Sequence, residues 1–238
     1  MKKRLFISIS LLCLYALFTI SLLFIDRAVI GPNGSMVGYA TLNNWFHNLT
    51  GVNWLLYDLT DYGGIPPIIM GIGFGILGFI ELAKRKSFIK VDFELIMLGI
   101  LYLITFVIYL LFEFMVINYR PVFINGFLEA SYPSSTTFLS ITFMLSSIIP
   151  IKKYIKNVTL ERILIFIAHA YMTFLVVGRV LSGVHWLTDI IGSLLLGFSL
   201  VKLYNYFVAK HNQSIILEKQ IINHYIVISF KLLLLLLK

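Results

Sequence analysis

The sequence predicts an all-α protein, a polytopic bundle of about six membrane-crossing helices with an outer amphipathic segment and an apolar C-terminal tail. Three observations predict it. Of 238 residues, 59% are hydrophobic and 13% charged, against about 45–50% and about 25% in a soluble domain. Too few charges are present to clothe a water-facing surface, and a disordered chain or a coiled coil is excluded by the same figures. Six apolar runs recur along the chain, and the basic residues gather in alternate connections between them. The single cysteine, Cys13, can form no internal bridge, which also excludes a disulfide scaffold.

Each span can be justified in order. Residues 6–25 are apolar without interruption behind Lys2, Lys3 and Arg4. A cleaved signal carries a shorter apolar region of about 7–15 residues and a small-residue cleavage site, so a retained first span is expected. Further spans are predicted at 65–82, 95–117, 136–149, 163–177 and 186–208. The fourth and fifth fall short of the roughly 20 residues a crossing needs, and their helices are expected to continue into polar flanks. Between the first two spans, residues 26–64 are rich in Asn, Gly, Trp and Tyr, with Trp45, Trp54, Tyr57 and Tyr62 placed as interfacial aromatics. One amphipathic helix on the outer surface is expected there.

The charges orient the bundle. With the N-terminus cytoplasmic, the inner segments hold Lys2, Lys3 and Arg4, then Lys84, Arg85, Lys86 and Lys90. Lys152, Lys153, Lys156 and Arg162 follow, and then Lys202, Lys210, Lys219, Lys231 and Lys238, sixteen of the 19 basic residues. Only Arg27, Arg120 and Arg179 fall at outer ends of spans. The net charge of +8 is therefore a topology signal, and nucleic acid is not expected as a partner. The tail has an apolar stretch at 221–230, then Lys231, six leucines and Lys238. It is too short and too charged for a good span and reads as a cytoplasmic or interfacial anchor.

Three local patterns carry little function. Gly73-Phe74-Gly75-Ile76-Leu77-Gly78 fits a dinucleotide fingerprint but lies inside a span with no preceding strand. Small residues for close helix packing, Gly71 and Gly75 among them, explain it better. His169 sits mid-span without an acidic neighbour and is expected to be a hydrogen-bonded packing histidine. Asn48-Leu49-Thr50 matches a glycosylation acceptor, a short pattern of low specificity.

Three polar islands break the apolar pattern on the same outer side: Asn118-Tyr119-Arg120-Pro121, residues 131–137 and residues 178–189. Taken singly, each has a bland reading. A terminal arginine snorkels, a Ser/Thr cluster caps a helix or bonds its neighbours, and His185 with Asp189 makes a structural pair. Together they describe an anion site. Arg120 and Arg179 offer planar forks suited to phosphate oxygens. Spans four and six both begin there, so free N–H groups and helix dipoles favour an anion. Ser134 is placed to cap span four and offer its hydroxyl. His185 and Asp189, four apart, are expected on one helix face, the carboxylate orienting the imidazole and leaving its other nitrogen as nucleophile or base. No metal-ligand set is visible and no cofactor is expected. The constellation suits phosphoryl transfer.

Arg120-Pro121, then Tyr132-Pro133-Ser134-Ser135, then Arg179-x5-His185-x3-Asp189 resemble the three motifs of the type-2 phosphatidic acid phosphatase and vanadium haloperoxidase superfamily, membrane lipid phosphatase branch. The family pattern is Lys-x6-Arg-Pro, Pro-Ser-Gly-His and Ser-Arg-x5-His-x3-Asp. The resemblance implies one six-span phosphatase-like domain over residues 1–210, with its motif core at 113–189, and a separate tail at 211–238. It implies an integral protein of the cell membrane whose site faces outward and hydrolyses lipid phosphates or isoprenoid diphosphates without a metal. His185 would form a phosphohistidine, Asp189 would orient it, and Arg120, Arg179, Ser134 and Ser135 would hold the phosphate.

The first and second motifs depart from the pattern. Glu113 stands for the family lysine, Ser135 for the glycine, Thr136 for the histidine that serves as general acid, and Gly178 for the first serine of the third motif. Glu113, seven residues before Arg120 and about 10.5 Å along a helix, is expected to pair with an arginine or to be neutral through burial. Three readings stay open: a diphosphatase whose leaving group needs less help from a proton, a monophosphatase with Glu113 or Glu129 as substitute acid, and a catalytically impaired lipid-phosphate binding or scaffold protein.

Overall fold

A computed structural model describes the backbone of residues 2–236 and the side chains of 2–217 and 220. Helix α1 (Lys2–Ser21) leads into a short antiparallel hairpin, β1 (Ala28–Val29) with β2 (Met36–Val37), and then helices α2 (Ala40–Thr50) and α3 (Trp54–Tyr62). Helices α4 (Ile65–Arg85), α5 (Phe93–Phe114), α6 (Ser135–Ser146), α7 (Ile148–Tyr154), α8 (Val158–Ser182) and α9 (Leu187–Leu236) follow. Among the described residues six stretches are long and apolar enough to cross a bilayer, as the runs predict. The short fourth and fifth runs do lengthen, to Ser135–Tyr154 and Val158–Ser182. The third ends at Phe114, three residues early, because the chain leaves the helix to build the loop carrying Arg120. The outer segment holds two helices where one was expected: Gly51, with φ of 61°, ends α2, and the Asn53 side chain caps α3 by accepting the Leu56 N–H at 3.0 Å.

Helices α6 and α9 form the centre. Over an 18-residue apolar stretch of each, 61% of the residues are buried, against 6–22% in the other spans. Their sequences explain it. Lipid tails are as apolar as leucine, so helices associate through close packing and internal hydrogen bonds. Helix α6 carries Thr136, Thr137, Ser140, Thr142 and Ser146, all buried. Ser140 and Thr142 donate to carbonyls one turn back, at 3.0 and 2.9 Å. A Cβ on Gly197 of α9 would lie 2.8 Å from Ile141 of α6, and one on Gly192 2.5 Å from Tyr132. These positions admit no larger residue. Helix α1 seals the other side of α9, where Ser8 Oγ donates to the Ser199 carbonyl at 2.9 Å. The apolar centre gathers Leu98, Leu101, Phe138, Leu196, Leu200 and Tyr204.

The glycine pattern inside α4 sits mid-helix, as its packing reading requires, but only Gly71 serves that purpose. A Cβ there would meet the Phe143 ring at 2.5 Å, whereas Gly73 and Gly75 face open space. His169 bonds its own helix, Nδ1 lying 2.8 Å from the Ile165 carbonyl oxygen, but it is exposed on the bundle's outer surface. It packs against no core, which corrects that expectation.

At the end of the bundle away from Arg120 and His185, charged residues of two separate connections join. Arg85 pairs with Asp92 at 3.0 Å, and Lys153 with Asp92 and Glu94 at 2.8 and 2.7 Å. Tyr154 donates to both Asp92 and Glu81. Burial alone would raise the Asp92 carboxyl, but Lys153, Tyr154 and Arg85 hold it down to about 2. The anchor expected from 221–230 and the leucines after it falls outside the described side chains.

Candidate active site

The local backbone explains where each site residue stands. Helix α8 stops at Ser182 because Gly183 turns left-handed, φ 67°, and a Cβ there would fall 1.8 Å from the Gly51 carbonyl oxygen. The Asn53 N–H donates to the Ser182 carbonyl at 2.9 Å, which docks this turn on the segment between α2 and α3. His185 follows in the connection and precedes the first residue of α9, Leu187. It therefore does not share a helix face with Asp189, as the four-residue spacing suggests. Instead Asp189 lies in the first turn of α9 and reaches back, its Oδ2 accepting the Trp186 N–H at 2.9 Å, half of a capping box. The same Oδ2 lies 3.5 Å from His185 Nδ1.

The Arg120 loop is built independently and brought to this turn. A narrow β-like pairing, Tyr119 with Ala130 and Ile124 with Phe127, folds residues 118–131 back on themselves. The Arg120 N–H bonds the Glu129 carbonyl at 3.0 Å, and the side chains pair, Nε to Oε2, at 3.1 Å. The buried Trp186 indole donates to the Tyr119 carbonyl at 2.7 Å and ties the two connections together. Arg120 Nη1 then stands 3.1 Å from His185 Nε2. Because guanidinium only donates, Nε2 is the acceptor nitrogen and the proton of the neutral ring sits on Nδ1, which has no hydrogen-bond partner and lies 3.5 Å from Asp189 Oδ2.

His185 is 5% exposed and Arg120 7%. Burial first, then the charges of Arg120 and Arg179, push the His185 imidazole well below its ordinary value. The shift favours the neutral ring, whose Nε2 lone pair is directed at Arg120. Arg179, 1% exposed, leaves α8 toward the start of α6. Its Nη2 donates to Thr136 Oγ1 at 2.8 Å and pairs with Asp61, and its guanidinium stacks over the Tyr57 ring, 5.0 Å from the centroid.

A cavity of about 340 Å³ opens beside this cluster. Arg120, His185, Glu113, Glu129 and Ser135 line its polar end, and Ile108, Phe112 and Phe138 its apolar wall. A second cavity of about 350 Å³, lined by Asp61, Ser135, Thr136 and apolar residues of α4, α5 and α6, shares Ser135 and Tyr109 with the first. Two expectations need correction. Ser134 stands at the cap position of α6, but its hydroxyl donates to Thr137 Oγ1 at 3.1 Å and caps no backbone N–H. Glu113 is exposed to the cavity, neither buried nor, among the described residues, paired with an arginine. Helix α5 ends at Phe114, so the helical offset to Arg120 does not apply. The carboxylates on the arginines are Glu129 and Asp61.

Sequence reasoning missed Asp61 and Asn43. Asp61 lies in the outer segment with no motif around it. Asn43 donates to the Gly38 carbonyl at 2.8 Å and to Thr188 Oγ1 at 3.0 Å, and accepts the Thr188 N–H at 3.2 Å. Its burial, known only once the chain is folded, is its one signal. Among the described residues no group of three His, Cys, Asp or Glu side chains is arranged to hold a metal ion.

Comparison with known proteins agrees with the helical membrane fold. A family model described as the PAP2 superfamily matches residues 71–213. The structure is similar to the crystal structure of a transmembrane PAP2-type phosphatidylglycerolphosphate phosphatase from Bacillus subtilis, with a TM-score of 0.56 and 18% identity over 85% of this chain and 96% of that one. No curated protein matches the sequence significantly.

Proposed function

The chain belongs to the PAP2 superfamily, and on that premise we propose that it hydrolyses a lipid phosphate or an isoprenoid diphosphate through a phosphohistidine. The observation that carries the reading is the buried contact of Arg120 Nη1 with His185 Nε2 at 3.1 Å, which puts an anion-binding fork on the nucleophilic nitrogen. Phosphate oxygens would draw Arg120 onto themselves and free the Nε2 lone pair. Nε2 attacks phosphorus, and the bond from phosphorus to the leaving oxygen breaks with its electron pair. Asp189 Oδ2 then steadies the imidazolium through Nδ1–H. Water next cleaves the phosphorus–nitrogen bond and releases inorganic phosphate. Arg120 and Arg179, with the N–H groups opening α6, neutralise charge on the transferring group.

The first step leaves an oxygen anion. An alkoxide needs a proton, whereas a departing phosphate does not, and Thr136 cannot supply one at neutral pH. Its hydroxyl is engaged by Arg179. A diphosphate substrate therefore suits this site better than a monoester, with Glu113 and Glu129, both on the cavity wall, as the residues to serve a monoester. The third reading, a binding protein without turnover, draws on the same loss of acid. It leaves the His185–Asp189 arrangement without a purpose, since binding needs no oriented nucleophile.

The test is phosphate release from purified protein in detergent, across a panel of lipid monophosphates and an isoprenoid diphosphate, with chelator present. Release is expected, and fastest from the diphosphate. No release from any member would leave only the binding reading. Sixteen inner basic residues support an outward-facing site. Asn125→Cys, at the exposed tip of the Arg120 loop, should then react with an impermeant thiol reagent added outside intact cells, and labelling only after lysis would reverse the orientation.

The acid limb of the pH profile is a further test. His185 is held below its usual range, so protonation of Nε2 itself should contribute no loss of kcat/KM as the pH falls through about 6.5, the free histidine value. A His185 imidazole resonance that titrated with its midpoint there would overturn this placement of the ring. The sign for stability runs against the fold. Below about 6.5 the unfolded chain binds a proton that folded His185 refuses, so the contribution of His185 to stability falls as the pH falls.

A further inference from the structure

The far end of the bundle holds a further cavity that the phosphatase reading does not use. It encloses about 490 Å³ between the first turns of α1, helix α7 and the middle of α9. Arg4, Lys152 and Lys202 stand on its wall, one from each element, with Asn205 beside them. Among the described residues none of the three cations pairs with a carboxylate, in contrast to Arg85 and Lys153 nearby. Glu94, which accepts from Asn212 on the cavity wall, is occupied by Lys153. Asn205 Oδ1 is enclosed without a hydrogen-bond partner, an arrangement that normally calls for a donor from elsewhere. The remaining wall is apolar, with Ile7, Leu145 and Ile148.

The three cations are exposed, yet they stand around one space that also holds the orphaned Asn205 Oδ1 and an apolar wall. Their convergence from three elements on a half-apolar cavity calls for an anion that brings hydrocarbon with it. We propose that this cavity binds the headgroup of an anionic phospholipid, its phosphate between Arg4, Lys152 and Lys202, a headgroup hydroxyl on Asn205 Oδ1 and its chains along the apolar wall. Basic pockets between membrane helices suit such headgroups. The lipid would clamp α1 and α7 to α9, the helix that also carries Asp189.

Phosphatidylglycerol, with one phosphodiester anion and free hydroxyls, is the probe. Full-length protein in detergent is titrated with it, with phosphatidylcholine and with inorganic phosphate, and read by native mass spectrometry and by the thermal midpoint. Phosphatidylglycerol should remain bound and raise the midpoint, and the other two should not. The Arg4→Gln, Lys152→Gln, Lys202→Gln variant should bind it about a hundredfold more weakly, and Lys202→Gln alone about fivefold. Both should keep the lipid-free midpoint of the parent, which separates lost binding from lost folding. Lys84→Gln with Lys86→Gln, exposed at the same end, should change nothing. Because the cavity variants leave Arg120 and His185 intact, their loss of binding does not depend on the phosphatase reading. An equal rise with inorganic phosphate would make the cavity an inorganic anion site. Equal responses to the two lipids, or an equal loss in the Lys84 and Lys86 variant, would reduce it to diffuse surface charge; either result overturns the proposal.

Discussion

Replacing His185 with alanine is expected to lower phosphate release by at least about a thousandfold, since removing a nucleophile leaves only binding and charge stabilisation. The variant should still bind the substrate lipid, because Arg120 and Arg179 are untouched and Arg120 gains freedom when Nε2 is gone. Asp189→Asn is the companion. It should lower turnover by about a hundredfold or more while the phosphohistidine still forms slowly, detectable as acid-labile, base-stable phosphate on the protein. It also removes a carboxylate that accepts the Trp186 N–H, so the thermal midpoint must be read alongside. A His185→Ala protein that turns over like its parent would remove the phosphohistidine mechanism altogether.

Thr136→His carries the second large effect. Threonine occupies the position where the resemblance puts the general acid, and acid catalysis is worth about a hundredfold or more. The substitution should therefore raise turnover of lipid monophosphates by about a hundredfold and leave the diphosphate nearly unchanged. The asymmetry is the prediction, since only the monoester leaves as an alkoxide. Equal gains on both substrates would defeat the leaving-group argument. The Thr136 hydroxyl now accepts from Arg179 Nη2 at 2.8 Å, and an imidazole there must coexist with that guanidinium. If Arg179 is displaced, KM rises for both substrates while the kcat asymmetry remains.

Much of the fold and part of the site are legible in the sequence, for identifiable reasons. A bilayer leaves a chain few options, so runs of apolar residues translate directly into helices. Their ends are less legible. The third run reads as apolar through Ile117, yet the helix stops at Phe114, because the Arg120 loop needs those residues as a lead-in. The pairing of His185 with Asp189 shows the same limit. Four-residue spacing is compatible with a shared helix face and with a first-turn aspartate reaching back across a cap. Only the left-handed Gly183, pressed against the Gly51 carbonyl, decides for the second. Helical spacing suggests Glu113 beside an arginine or neutral through burial, whereas the arginines take Glu129 and Asp61 and Glu113 stays exposed.

By itself the sequence determined the class of protein, the number of crossings and the residue types able to bind phosphate. Composition and local motif suffice for these, because hydrophobic thickness and charge placement act segment by segment. Tertiary structure decided which carboxylate each arginine holds, which imidazole nitrogen meets Arg120, and that Ser134 bonds Thr137 while Ser135 faces the cavity. Those outcomes depend on where separate connections meet in space. Asn43 on Thr188 and Trp186 on the Tyr119 carbonyl bridge 145 and 67 residues of chain, distances over which no local pattern carries information.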